Sequence, residues 1–64
     1  MKITVNKKQR EWAEKAPLTI ILDEKKIKRV AVWVNGRQLL NKEIPDFVPQ
    51  EGDEIKILRI VGGG

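Results

Sequence analysis

The stretch Glu51-Gly52-Asp53-Glu54-Ile55-Lys56-Ile57-Leu58-Arg59-Ile60-Val61-Gly62-Gly63-Gly64 decides the fold. Glu51-Gly52-Asp53 reads as a turn. Glu54 to Val61 reads as a strand, with Ile55 and Ile57 on one face and Leu58 and Ile60 on the other. A strand that is apolar on both sides near its end belongs in the middle of a sheet, with neighbours on both edges. Glycines 62–64 bring no side chain to pack, so they are expected to form an exposed, flexible tail.

Outward from that strand, the rest of the chain supplies its neighbours. Met1, Ile3 and Val5 alternate with Lys2, Thr4 and Asn6, the period of a half-buried strand. Val30, Val32 and Val34 face one way and Ala31 and Trp33 the other, which makes Lys28 to Val34 a second clear strand. The following Asn35-Gly36 accepts positive φ at both central positions of a tight turn, so Arg37 to Leu40 should return antiparallel on the valine strand. Asn6 to Gln9 reads as a turn, and Arg10 to Lys15 as a weak strand carrying Trp12 and Ala13 and ended by Pro17. Leu18, Ile21 and Leu22 then fall on a helical stripe, with Thr19 placed to cap the first turn. The β-branched Thr19, Ile20 and Ile21 lean instead to strand. Residues 41–50, with Pro45 and Pro49, read as an irregular connection pinned to the core by Ile44, Phe47 and Val48. A short helix over 19–26 is preferred because it covers one face of a mixed sheet whose first and last strands run parallel in the middle. That arrangement is an α+β fold of the β-grasp type, a single domain over residues 1–61.

Composition narrows the chemistry. The chain has 64 residues and contains no Cys, His, Ser or Tyr. Disulfides, thiol and serine nucleophiles, Cys/His metal sites and histidine acid–base work are excluded together. Neither a paired-acid spacing nor a glycine-rich phosphate loop occurs. Glu51, Asp53 and Glu54 around Gly52 lack the ligand alternation of a calcium loop. No catalytic side chain and no bound metal or cofactor are therefore expected. Leu, Ile, Val and Phe make up 20 of the residues, above the range of disordered chains. The longest apolar runs are far shorter than the roughly 20 residues that cross a bilayer, and Met1 to Asn6 already alternates like a strand rather than a signal peptide. A cytoplasmic address without membrane association is the expectation.

The net charge of +4 is uneven: residues 1–32 hold nine Lys and Arg against four acids, residues 33–64 four against five. A basic amino half with two tryptophans raises nucleic-acid binding as one reading, with Trp12 or Trp33 stacking on bases. The lysines cluster at expected turns, where solvated charge is the commoner meaning, and this reading leaves the glycine tail without a purpose.

The carboxyl end, from Glu51-Gly52-Asp53-Glu54-Ile55 to Arg59-Ile60-Val61-Gly62-Gly63-Gly64, resembles that of the ubiquitin-like sulfur carriers, the ThiS/MoaD family. Val30-Ala31-Val32-Trp33-Val34-Asn35-Gly36 is similar to the strand and turn those proteins place in mid-chain, and the likeness covers nearly the whole chain. Length favours the thiamin branch over the molybdopterin branch. The stretch from Thr19 to Asn35 is shorter than is common in the family, which implies a helix of only one or two turns.

The resemblance implies a carrier rather than an enzyme. A ubiquitin-activating-type adenylating enzyme would use ATP to activate the Gly64 carboxylate, and sulfur would replace the adenylate as a thiocarboxylate. A thiazole synthase or related acceptor would then take the sulfur. Gly63 and Gly64 correspond to the family's diglycine, and Gly62 falls at a variable position. If Ile55 and Ile57 point inward, Leu58 and Ile60 lie on the open face beside Arg59 as a partner-binding patch; a one-residue shift exchanges the two pairs and makes Leu58 and Ile60 core. A modifier joined to protein lysines through the same terminus shares each of these features.

Overall fold

The computed structural model describes residues 1–27 and 29–60. Five strands form one mixed sheet: β1 (Lys2–Val5), β2 (Lys8–Glu11), β3 (Val30–Val34), β4 (Arg37–Gln38) and β5 (Glu54–Arg59), in the order β2-β1-β5-β3-β4. β5 is central, parallel to β1 through Thr4↔Glu54 and Val5↔Ile55 and antiparallel to β3 from Val30↔Arg59 to Val34↔Ile55. One helix, α1 (Thr19–Lys25), packs on a single face, and a 3₁₀ turn spans Ile44–Asp46. This is the β-grasp arrangement.

The core is where these faces meet. Ile3 and Val5 of β1, Val30 and Val32 of β3, and Ile55 and Ile57 of β5 are buried against Leu18 and Ile21. Ile21 is the one buried residue of α1, and burying a side chain of that size stabilises by roughly 1.5–3 kcal/mol. In a chain whose total stability is roughly 3–10 kcal/mol, losing one such anchor removes a large share of it.

Several local readings are corrected. The turn after β1 is Asn6-Lys7, both at positive φ, so the second strand runs Lys8–Glu11 rather than Arg10 to Lys15. Trp12 lies just beyond that strand and is only 5% exposed, its indole N–H donating to the Ala16 carbonyl at 3.0 Å. Thr19 does not cap the helix. Leu18 occupies that position in a helical conformation and no side-chain cap bond forms, which places Thr19 inside the first turn. The helix has seven residues, Thr19–Lys25, and is capped by Lys26, whose φ is 54°. The return strand is confined to Arg37–Gln38; the buried Leu39 still donates its N–H to Val32, but Leu40 turns away. Ile44 and Phe47 pin the long connection as read, while Pro49 rather than the half-buried Val48 is its fully buried member.

Candidate functional site

β5 is tied to its surroundings by side chains as well as by its backbone ladders. Asn35 and Gly36 take φ of 51° and 85°, the positive pair expected of the tight turn between β3 and β4. Asn35 also reaches across to the turn before β5: its Nδ2 donates to Asp53 at 3.0 Å and its Oδ1 accepts from the Glu54 N–H at 2.9 Å. Asp53 in turn accepts from the Gln50 N–H at 2.8 Å. Further along, β1 has ended, and the Asn6 side chain stands in for a strand neighbour by accepting from the Ile57 N–H at 2.8 Å. The last described bond is Ile60 N–H to the Arg29 carbonyl at 3.0 Å. A strand registered at both ends delivers the chain in a fixed direction up to Ile60.

The three residues assigned to partner binding are all on the surface: Leu58 is 47% and Ile60 50% exposed, with Arg59 exposed between them. Ile55 and Ile57 point inward. The structure nevertheless separates Leu58 from Ile60. Leu58 lines a shallow depression of about 450 Å³ on the open face with Trp33 and Lys56, whereas Ile60 lines a different groove beside α1. The cause is position, because β5 ends at Arg59 and the chain leaves the pleat at Ile60. Gly62, Gly63 and Gly64 lie outside the described residues.

The tryptophans do not form a stacking platform. Trp12 is buried, and Trp33 is half-buried beneath Lys56, whose Nζ lies 5.8 Å from the ring centroid. Arg10 is engaged by Glu24 through paired bonds of 3.0 and 3.1 Å that tie β2 to α1. That bond holds the Glu24 carboxyl below its ordinary pKa and raises Arg10 above its own. Among the described residues no cluster of acids or histidines could hold a metal ion, and no helix is long and apolar enough to cross a membrane. Sequence reasoning missed the groove beside Ile60, because its walls come from four separated segments that share no periodicity.

The ThiS family model matches residues 3–64, which takes in the final strand and all three closing glycines. The chain belongs to the ThiS family. As a ThiS-family protein it is a small sulfur carrier with the β-grasp fold, as the strand order already indicated. Among solved structures it is similar to the thiamine biosynthesis protein ThiS from Geobacter metallireducens. The two share 30% sequence identity and a TM-score of 0.75, with 100% of each chain covered. No curated protein matches the chain.

Proposed function

We propose that this ThiS-family chain carries sulfur on its C-terminal carboxylate for thiazole assembly in thiamin biosynthesis. The supporting observation is the way β5 is built: a central strand, clamped at Asn35 and at Asn6, runs to Ile60 and leads in sequence directly to Gly62-Gly63-Gly64. A glycine thread is narrow enough to enter a channel that any Cβ would obstruct, while the body stays outside. The chemistry needed at its end is activation, since a carboxylate is a poor electrophile.

In the proposed sequence a ubiquitin-activating-type adenylating enzyme joins the Gly64 carboxylate to the α-phosphorus of ATP, and pyrophosphate leaves. Sulfur at the sulfide level (HS⁻) then attacks the acyl carbon; the bond to AMP breaks and AMP leaves, a carbon–sulfur bond forms with loss of the proton, and the thiocarboxylate is passed to a thiazole synthase. ATP is consumed by the partner, and this chain contributes a terminus and a docking surface. Leu58, beside Trp33 on the open face, is the docking contact best placed to reach a partner on that side, and the exposed Arg59 follows it in the strand.

Removing Gly64, or making Gly63→Val, is expected to leave the circular dichroism spectrum and the melting curve unchanged while abolishing ATP–pyrophosphate exchange with the adenylating enzyme. Unchanged exchange in both variants would overturn the proposal.

A further inference from the structure

At the root of the tail, on the helix side of the sheet, is a groove of about 480 Å³ whose walls include Leu22 of α1, Val30 of β3, Ile44 and Pro45 of the 3₁₀ turn, and Ile60. Among the described residues that line it, Arg29 alone is charged. Arg29 is exposed, and its carbonyl accepts the Ile60 N–H at 3.0 Å, so the backbone that carries the cation is tied to Ile60, the last described residue before the glycines. No acid is among the described residues that line the groove, and a guanidinium there suits a carboxylate brought by a partner.

The length of chain beyond Ile60 limits what can sit there. Four residues remain, and four residues span at most about 14 Å when fully extended. A protein that encloses the Gly64 carboxylate therefore has its own surface within that distance of the groove, whatever path the tail takes. The apolar walls and the single cation then state what that surface must offer.

We infer that the groove is a second docking point for the enzyme that accepts the tail, filled by an apolar side chain of that enzyme with an adjacent carboxylate paired to Arg29. The inference rests on the sulfur-carrier reading. With Leu58 engaged on the open face and this groove on the helix side, the enzyme grips the end of β5 from both faces. Such a grip sets the direction in which the glycines enter a channel, which one flat patch would leave free.

The test is ATP–pyrophosphate exchange by the adenylating enzyme with the full chain as the varied substrate, comparing the unsubstituted protein with Arg29→Glu and Thr19→Tyr. Arg29 is exposed, so its replacement should not disturb folding, which circular dichroism verifies. Thr19 is half-buried and lines the groove, and tyrosine there would occupy it. Arg29→Glu is expected to raise KM for the carrier about tenfold, because like charges now meet across the contact. Added salt should raise the KM of the unsubstituted chain toward that of the variant. Thr19→Tyr should raise KM at every salt concentration. Unaltered KM in both variants removes the docking point alone. Self-association of the unsubstituted chain in sedimentation, lost in Arg29→Glu without any change in KM, would assign the groove to a second copy and likewise overturn the inference. Absence of exchange with the unsubstituted chain would remove the sulfur-carrier reading and this docking point with it.

Discussion

Gly52 takes φ of +80° in the turn that launches β5, and a Cβ added there would meet nothing within 4 Å. Space is therefore no obstacle to a larger residue, and the backbone alone carries the constraint. Gly52→Ala is expected to destabilise the fold by about 1–2 kcal/mol, the left-handed penalty for one residue, measured by urea unfolding; an unchanged midpoint would show that the turn relaxes freely. Residues of this kind differ in how openly they declare themselves. Asn35-Gly36 announces its turn, because both residue types tolerate positive φ. Asn6-Lys7 makes the same geometry at φ of 50° and 69°, but a lysine in that position carries no such signature, so the sequence pattern extends the turn and starts the next strand too late. Trp12, which the sequence places on a weak strand or as a base-stacking ring, is buried in the core with its indole N–H bonded to Ala16.

At the scale of elements, β5 was the most legible because apolar residues on both faces leave it no place but the centre. β2 was the least legible, since Lys8-Gln9-Arg10-Glu11 is polar throughout and offers no period to read. An edge strand of that kind is held by its pairing with β1 and by what it ties to. Here the tie is Arg10 to Glu24, joining β2 to α1 across two bonds. The hydrogen bond from Arg10 holds the Glu24 carboxyl below its ordinary pKa. A carboxyl whose folded pKa is depressed adds stability above its unfolded value, and that addition is lost as pH falls through the folded value. Arg10 is shifted the other way and stays charged throughout this range. The stability gap between the unsubstituted chain and Glu24→Gln is thus expected to be present at neutral pH, to shrink through the acid range and to close below the folded pKa of Glu24. It should be small, because both groups face solvent. A gap that is constant from pH 7 to strongly acid conditions would show that the ion pair contributes nothing.

For the molecule as a whole, the proposed function makes the sheet a mount and the reactive group a carboxylate that a list of side chains omits. The order β2-β1-β5-β3-β4 places the last strand where neighbours clamp it from both sides, so the body can be rigid up to Ile60. This much followed from alternation, one turn dipeptide and a terminal glycine run. The separation of Leu58 from Ile60, and the groove that Ile60 shares with Arg29, did not follow. They depend on where a seven-residue helix and a 3₁₀ turn settle against the sheet. The central claim concerns the final carboxyl group, and it is tested most directly by the intact mass of the full chain after incubation with its adenylating enzyme, ATP and a sulfur donor. Exchange of one terminal oxygen for sulfur predicts a gain of roughly 16 Da, set by the atomic masses and confined to the fragment that contains Gly64. A mass that does not change, or a gain that maps to any other fragment, would contradict it.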